Sequence, residues 1–457
     1  MPTARTKPTL TEGPLFGKMI LYVIPIIMTG ILQLLYNTAD QIVVGRFSGD
    51  PNALAAVGST SSATALVVNV IIGMTAGAVV VMSQSFGGGQ DELVSRAVHT
   101  VISFAAIAGV CFALLGLIVS RPLLTVLGTK SEYIESAVTY MRIIMCGVPA
   151  SVLYNFSASV FRAKGDSRTP FIILSLSGLA NVALNLVFVI VFGMGVAGVA
   201  TATIISQYIS AIVILTLLMR TDESYRLEIK SLGIDPQMLR RILTVGVPSG
   251  IQSAFFSLSN MLVQSAVNTL TVPEVGGNTV GGTIESYTYT TLNSYYHATL
   301  AFVGQNYGAG KVDRVKRSLL LSVLQVLCVG LVVGGLFALL LPYIATLFVD
   351  MTQENAVEIV AAAVLRSRII LPLYFLCGWM ESLTGYQRGL GSSLRPMIVS
   401  LFCVCGVRSL WAKLLFPLVG SASFLYAVYP LSWALCGLVH LIFTIRITRK
   451  KLKPIAK

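Results

Sequence analysis

Twelve runs of mostly apolar residues follow one another along the chain, and each is long enough to cross a lipid bilayer. A membrane-spanning helix needs roughly 20 such residues in a row. The runs lie at residues 16–44, 56–83, 98–119, 136–160, 170–192, 196–219, 240–269, 283–306, 318–341, 360–386, 397–417 and 421–445. Only 11% of the 457 residues are charged, whereas a soluble protein carries about 25%. This pattern excludes a soluble enzyme, a disordered chain and a nucleic-acid-binding domain, and it predicts an all-α integral membrane protein with twelve transmembrane helices.

The basic residues are distributed unevenly among the predicted connections. The chain has 32 Lys and Arg against 19 Asp and Glu, a net charge of +13. Most of the basic residues fall in the N-tail 1–15, in the C-tail 447–457 and in every second connection between spans. We assign Arg388 to one of these connections. Cytoplasmic loops of membrane proteins carry such an excess of Lys and Arg. We therefore expect a multi-pass protein of the plasma (cytoplasmic) membrane with both termini in the cytoplasm.

The two halves of the chain carry the same landmarks in the same order. Gln84–Gly89 matches Gln305–Gly310 at an offset of 221 residues. Arg162–Pro170 matches Arg388–Pro396 at an offset of 226. Pairs such as Pro25 with Pro248 repeat at an offset of 223. A nearly constant offset indicates an internal repeat.

The repeat predicts two six-helix lobes. We place the N-lobe at 16–220, a cytoplasmic linker at 221–238 and the C-lobe at 239–446. An even number of spans gives both lobes the same orientation, so we expect a pseudo-two-fold axis along the membrane normal. Transporters built from such repeats carry substrate at the interface between the repeats and alternate access by rocking. The sequence has no channel filter motif, which favours a transporter.

Motifs for catalysis and cofactor binding are absent from the sequence. There is no P-loop, and no HExxH, GxSxG or SxxK pattern. Gly193–Gly198 matches GxGxxG, but it lies between two spans, and we interpret it as a hairpin turn. The seven cysteines all lie in apolar stretches and are interpreted as small buried hydrophobes. We therefore expect no enzyme activity, no catalytic residues, no metal and no cofactor, and an ion gradient as the energy source.

Three acidic residues lie inside the predicted spans, at Asp40, Glu285 and Glu381. Ionisable groups within a membrane are functional candidates. Burial disfavours the ionised form of Asp40 and a bound cation favours it, so this carboxyl group can exchange a proton for a cation. The alternative is a structural acid that pairs with Arg46.

Polar residues of the fifth and sixth spans supply possible partners for Asp40. Asn181 and Asn185 are four residues apart on one helix face, and Thr203 follows in the sixth span. These oxygens can surround Asp40, or they can form ordinary hydrogen bonds between helices. Pro25 lies fifteen residues before Asp40 and removes a backbone hydrogen bond. It is either a hinge linked to protonation or a packing bend shared with Pro248.

The tenth and eighth spans suggest a substrate cavity. Glu381 has Trp379 and Met380 beside it, a combination that suits a lipophilic cation. The alternative is an acid that reaches the interface or pairs with Arg388. The polar eighth span is expected to line a wet cavity with Glu285, Tyr289, Asn293 and Tyr296.

These residues together resemble the multidrug and toxic compound extrusion (MATE) family over nearly the whole chain. The resemblance is carried by Pro25 with Asn37-Thr-Ala-Asp40, by both pairs of repeated motifs and by the Met194–Gly198 turn. It implies two six-helix lobes and export of organic cations and drugs against inward H⁺ or Na⁺.

The resemblance also implies where the coupling ion binds. It places the ion site in the N-lobe, with the residues Tyr36, Asn37, Asp40, Asn181, Asn185 and Thr203. Some family members have a second aspartate at the position of Asn185, and its absence here favours H⁺. The seventh span has no acid, and Gln252 is its nearest polar analogue.

A related function remains as the alternative. A lipid-linked saccharide or other amphiphile flippase of the same superfold would need a basic cavity, and the basic residues here are mostly assigned to loops. The expected partners are cationic or amphiphilic small molecules and membrane lipid, without nucleic acid, and the expected state is a monomer.

Overall fold

A computed structural model describes residues 10–48, 53–126, 128–349 and 351–452, and these ranges are all-α. Within them, twelve long helices follow one another in chain order. They are α1 (Leu15–Phe47), α2 (Ala53–Gly87), α3 (Asp91–Val126), α4 (Ile134–Lys164), α5 (Arg168–Val191), α6 (Gly195–Arg220), α7 (Pro236–Val267), α8 (Val272–Gly308), α9 (Val312–Ala345), α10 (Ala356–Leu373 and Phe375–Gly389), α11 (Leu394–Val419) and α12 (Ala422–Leu452). The predicted twelve-helix architecture is confirmed.

Most of these helices are apolar enough to cross a membrane. Ten pass by length and composition, with mean hydropathies of 1.3 to 2.6 in their best windows. The two arms of α10, bent by 43°, make an eleventh when they are taken as one span. The long helix α8 falls short because polar side chains such as Tyr287, Tyr289 and Asn293 interrupt it.

Large apolar side chains cover the outer faces of the helices. Ile118 is 74% exposed, Leu339 is 75% exposed and Leu418 is 81% exposed. In water such a surface would drive aggregation. In a bilayer it contacts lipid chains, and the helices satisfy their own backbone hydrogen bonds.

The chain divides into two compact units. Unit 1 comprises the described part of Met1–Glu12 and Ile24–Gly250, and unit 2 comprises Gly13–Val23 and the described part of Ile251–Lys457. The sequence-based lobes 16–220 and 239–446 keep α1 and α7 whole. In the structure each of these helices is instead divided between the units, within two residues of Pro25 and Pro248.

Packing explains why α1 and α7 divide in this way. The start of α1 contacts unit 2, where Gln325 Nε2 donates to the Phe16 carbonyl at 3.2 Å. The start of α7 contacts α2 so closely that a Cβ on Gly77 would lie 2.1 Å from the Ile242 carbonyl. Backbone approach of this kind fixes the first turns of α7 within unit 1.

The internal repeat is visible in the backbone. Helix α2 ends at Gly87 and α8 ends at Gly308, and both are followed by glycines with positive φ, 63° at Gly89 and 70° at Gly310. Residues with a side chain rarely adopt this left-handed backbone conformation, so glycine is required. The repeated glycine motif is therefore a helix stop, used at the same position in both halves.

The linker between α6 and α7 is anchored on unit 1. Asp235 Oδ1 accepts hydrogen bonds from the backbone N–H groups of Gln237 and Met238 at 2.9 and 3.1 Å, which caps α7. Arg96 Nε of α3 donates to Asp235 Oδ2 at 2.8 Å. His99 Nε2 accepts from the Glu228 N–H at 3.0 Å. These contacts hold the linker on α3.

Two smaller predictions have different outcomes. Helix α5 ends at Val191 and α6 begins at Gly195, so the Gly193–Gly198 segment comprises the end of the predicted hairpin turn and the first turn of α6. The seven cysteines are all unbridged. The interpretation of all seven as buried is wrong, because Cys111, Cys146 and Cys328 are exposed, where apolar helix faces meet lipid.

Candidate functional site

Asp40 lies buried near the end of α1, in a mainly apolar part of unit 1. Its side chain is 9% exposed. Val43 and Val44 of the next turn pack with Val189 and Val199 of α5 and α6. Because this packing excludes water, the carboxyl group depends on protein groups for its hydrogen bonds.

Asn185 is the principal hydrogen-bond partner of Asp40. Its Nδ2 donates to Asp40 Oδ1 at 2.5 Å and to Asn181 Oδ1 at 3.3 Å. Asn181 Nδ2 in turn donates to Thr203 Oγ1 at 3.3 Å. The Thr203 hydroxyl lies 3.4 Å from Asp40 Oδ2 and 2.9 Å from the Val199 carbonyl. The structure therefore brings together four of the predicted ion-site residues, from α1, α5 and α6.

The Asn181 amide satisfies its hydrogen-bonding groups better in the reversed orientation. With its amide reversed, Asn181 donates to Asp40 Oδ1 at 3.1 Å and accepts from the Thr203 N–H at 3.3 Å. Asn185 Oδ1 is buried and has no hydrogen-bond partner among the described residues. An amide presents donors on one side and an acceptor on the other, so the network can serve either form of the carboxyl group.

Tyr36 lies one turn before Asp40 and fixes α1 against α5. Its hydroxyl donates to the Ser175 carbonyl at 3.1 Å. A Cβ on Gly178 would lie 1.9 Å from the Tyr36 ring, so only glycine allows this contact. Asn37 is exposed and lies outside the hydrogen-bonded network.

Asp40 forms no ion pair with any described residue. Arg46, the partner in the structural alternative, is exposed.

Pro25 lies inside α1, where Thr29 Oγ1 donates to the Pro25 carbonyl at 2.7 Å. The Thr29 hydroxyl thus binds a backbone carbonyl close to the point where Pro25 interrupts the backbone hydrogen bonds of the helix.

Glu285 of α8 is held in a buried ion pair. Arg366 Nε and Nη2 donate to its two carboxylate oxygens, each at 2.7 Å. Arg366 Nη1 donates to Asn278 Oδ1 at 2.5 Å, and the guanidinium lies 5.0 Å from the ring centre of Tyr426. This bidentate geometry is the strongest form of Arg–carboxylate pairing, so Glu285 is fully engaged within unit 2.

Arg388 is buried inside α10, which corrects its assignment to a connecting loop. It is 4% exposed, because α10 continues to Gly389. Its Nη1 donates to the Tyr296 hydroxyl at 2.6 Å and its Nη2 donates to Gln252 Oε1 at 2.8 Å. Its Nε has no partner among the described residues.

Glu381 is buried in α10 without an ion pair to any described residue. It is 5% exposed, and Arg388, the partner in the alternative interpretation, instead binds Tyr296 and Gln252. Trp379 is half-buried, with its ring against Gly437, and Met380 is 2% exposed. Both pack within unit 2.

The remaining residues predicted for the cavity lie along α8. Tyr289 is 40% exposed, Asn293 is half-buried and Tyr296 is 5% exposed. The predicted wet face of α8 is therefore only partly open in unit 2.

Two buried arginines escaped the sequence analysis. Arg366 and Arg408 are each 5% exposed and lie within the tenth and eleventh predicted spans. Arg408 Nη1 donates to Asn260 Oδ1 at 2.9 Å and its Nε donates to Ser432 Oγ at 3.2 Å. The signal was present, because a cation inside a span is as informative as an acid.

The sequence profile of the MatE family matches residues 25–187 and again residues 248–412, more than half of the chain. A probable multidrug resistance protein, YoeA of Bacillus subtilis, is 29% identical over 87% of this chain and 86% of its own. An FAD transporter of Shewanella oneidensis is 24% identical over 89% of this chain and 88% of its own.

A solved structure extends the likeness to the whole fold. A MOP superfamily transporter from Pyrococcus furiosus, described as having a binding pocket of reverse polarity, superposes with a TM-score of 0.88. It covers all of both chains at 22% identity. At this identity the likeness concerns the fold alone.

Proposed function

Because the chain belongs to the MatE family of membrane transporters, we propose that it exports organic cations and lipophilic drugs in exchange for inward H⁺. Transport proceeds by alternating access in the plasma membrane, by a monomer with both termini in the cytoplasm. The multidrug resistance for which the Bacillus relative is named supports this function.

The observation that carries the proposal is the setting of Asp40. Its carboxyl group is buried, it has amide and hydroxyl neighbours, and it has no ion-pair partner among the described residues. A structural acid in an apolar environment is normally paired with a cation. An unpaired acid gains or loses its charge with a proton or a bound cation, and this couples transport to an ion gradient.

The geometry supports a proton over Na⁺. The nearest group to Asp40 Oδ1 is an N–H donor of Asn185, whereas a sodium ion requires several oxygen ligands. The ionised carboxylate accepts from the amide N–H groups. The protonated form needs an acceptor, and Asn185 Oδ1, which is buried and has no hydrogen-bond partner among the described residues, supplies one when that amide turns. Tyr36 positions α1. Asn37 stays in the proposed ion site, although it lies outside the hydrogen-bonded network around Asp40.

In unit 2, Glu381 is the group that we assign to the positive charge of the substrate. It is buried and forms no ion pair with the part of the chain that the structure describes, so a cationic substrate would supply its counter-ion. Gln252, Tyr289, Asn293 and Tyr296 provide polar and aromatic surface in the same unit.

The test is gradient-driven export in everted membrane vesicles from bacteria that lack their own efflux pumps. A fluorescent lipophilic cation is followed while the pH gradient and Na⁺ are varied independently. We expect uptake into wild-type vesicles to follow the pH gradient without Na⁺ and to be abolished in Asp40→Asn, because the amide carries no exchangeable charge. Asp222→Asn is the matched control, since Asp222 is almost fully exposed on the linker.

Two outcomes would overturn the proposal. Transport that survives in Asp40→Asn at normal expression would remove the coupling role of Asp40. A requirement for Na⁺ in the wild type would replace the proton by sodium at the same site.

A further inference from the structure

One of the contacts that hold the linker between α6 and α7 on unit 1 requires a neutral histidine. We propose that His99 is a proton-binding site, separate from Asp40, and that its protonation releases the middle of this linker from α3. The inference goes beyond the proposed export function, because it concerns a regulatory contact outside the candidate ion site.

The hydrogen bonds of His99 define its protonation state. Its Nδ1 lies 2.7 Å from the Ser95 carbonyl oxygen, which only accepts, so Nδ1 carries a proton. Its Nε2 accepts from the Glu228 N–H at 3.0 Å, so Nε2 carries none. A neutral imidazole has one donor and one acceptor, whereas the protonated ring has two donors. A second proton, on Nε2, would point at the Glu228 N–H, and the bond to the linker would be lost.

A cavity gives water and protons access to this contact. It lies between α3 and the linker and has a volume of about 320 Å³. Its lining includes Ser95, Arg96, His99 and Thr100 from α3, and Gly233 and Asp235 from the linker. His99 is 6% exposed. The bond to Glu228 is therefore sheltered, although the histidine that accepts it borders a cavity from which it can take a proton.

The linker is also attached on both sides of Glu228, by contacts that do not involve histidine. Before it, the buried ring of Tyr225 packs edge-on against one phenylalanine of α2 and one of α4, with ring centres 6.0 and 5.9 Å apart. After it, the Asp235 N–H donates to Thr100 Oγ1 at 3.1 Å. Protonation of His99 would therefore free the stretch between these attachments and leave the linker tethered at both ends.

The charged groups around His99 form contacts of their own. On α3, Arg96 Nε donates to Asp235 Oδ2 across the cavity edge at 2.8 Å. On α4, Lys164 pairs with Glu223 of the linker. Helix α2, which also packs against α3, contains no charged residue. Further charged residues of these segments include Asp91, Glu92, Arg162, Asp222, Arg226, Glu228 and Lys230, all of them exposed except Arg162.

These groups differ from histidine in the pH range over which they change charge. Carboxylate, lysine and arginine side chains ordinarily keep their charge between pH 5 and 8, whereas histidine does not. The ion pairs of the linker therefore persist over the range in which the Glu228 contact is lost. In the orientation that we propose, the linker lies on the cytoplasmic side, where imported protons are released, so His99 would sense a product of transport. This last consequence rests on the proposed function, and the contact itself does not.

Hydrogen–deuterium exchange of the purified, detergent-solubilised chain tests the proposal without substrate or gradient. Exchange of the linker peptide that contains Glu228 is compared between wild type and His99→Gln at about pH 7.5 and about pH 5.5, either side of the ordinary titration of histidine. Comparison at equal pH cancels the intrinsic effect of pH on exchange. Glutamine offers an acceptor to the Glu228 N–H and takes up no proton. We expect equal exchange at the higher pH, and exchange about 10-fold faster in the wild type at the lower pH, the size of one hydrogen bond.

Two further variants complete the design. His99→Phe keeps a ring and removes the acceptor, so its linker peptide should exchange rapidly at both pH values. His297→Gln, at a histidine of α8 in unit 2, is the matched control and should behave as the wild type does. Thermal unfolding identifies the variants that fold. If the glutamine does not hold the linker, the wild type is compared with His99→Phe, which it should match at the lower pH and not at the higher.

Slow exchange of the wild-type linker at both pH values would overturn the proposal. So would an acid-induced increase of the same size in His99→Gln, because another group would then carry the titration. The measurement uses no gradient and does not involve Asp40. A failed transport assay would therefore remove the proposed coupling and leave the His99 contact standing, and the reverse also holds.

Discussion

The buried ionisable groups of the two units differ in kind, although the units derive from one repeat. In the described part of unit 1 the buried carboxylate is Asp40, and no arginine or lysine is buried. Its counterpart in unit 2, at an offset of 223, is Val263, a buried apolar residue. Unit 2 instead buries three arginines and two glutamates.

This difference shows that the repeat preserves the scaffold and not the chemistry. The helix stops at Gly89 and Gly310 recur because the left-handed backbone there requires glycine. Prolines also recur inside α1 and α7, at Pro25 and Pro248. Buried polar side chains lie on inward helix faces, where a change of residue does not disturb the backbone hydrogen bonds of the helix. Each unit has therefore acquired its own polar site.

Breaking the Arg366–Glu285 pair is expected to have the largest effect on stability. Arg366→Gln or Glu285→Gln leaves one buried charge without a partner, which costs about 3–5 kcal/mol. Thermal unfolding of the detergent-solubilised protein measures the loss, and the double variant is expected to recover much of it. Arg388→Gln and Arg408→Gln should cost less because their partners are neutral. An equal loss of stability in all three arginine variants would contradict the distinction between Arg366, which has an acidic partner, and Arg388 and Arg408, whose partners are neutral.

Gly178→Ala is expected to disturb unit 1 by displacing Tyr36. The added Cβ would lie 1.9 Å from the ring, and overpacking of this kind costs about 1–3 kcal/mol. Because Tyr36 and Asp40 lie one turn apart on α1, export should fall with stability. Restoration of stability by Tyr36→Ala in the same chain would confirm the cause. Gly335→Ala, where no atom lies within 4 Å, is the matched control and should unfold as the wild type does.

Asp235→Asn is expected to have the smallest effect, at the linker that unit 1 anchors. Hydrogen bonds from the Met238 N–H and from Arg96 hold the pKa of Asp235 below its usual value. A lowered pKa means that the carboxylate stabilises the folded state at neutral pH, and that this contribution disappears as the pH falls through that pKa. Wild type and variant should therefore differ slightly in Tm at neutral pH and converge in acid. A difference that grows in acid would contradict this account.

Much of the fold could be predicted from the sequence because hydropathy and glycine or proline placement act locally. The twelve helices follow from apolar runs, and the repeat follows from motifs such as Gln84–Gly89. The division of α1 and α7 between the units could not be predicted, because it depends on which neighbours the first turns contact. The contact of Gln325 with Phe16 joins residues far apart in the chain.

The candidate sites were predictable to different degrees. Asp40 stands out as an acid in an apolar run. The spacing of Asn181 and Asn185 and the position of Thr203 made them possible neighbours, and the family resemblance implied their place in the ion site. The pairing of Glu285 with Arg366 spans 81 residues, and no local pattern indicates it. Arg388 was assigned to a loop because the tenth span was ended at residue 386, whereas α10 extends to Gly389.

The polarity of α8 has a consequence for how the protein is made. A segment enters the bilayer from the translocon according to its own hydrophobicity, and α8 is the long helix that does not qualify by itself. Its neighbour α9, with a mean hydropathy of 2.6 in its best window, inserts readily. We therefore expect the eighth helix to insert together with a later helix that shields its polar face. Insertion of the second half should then be cooperative, because it depends on packing of the polar side chains of α8.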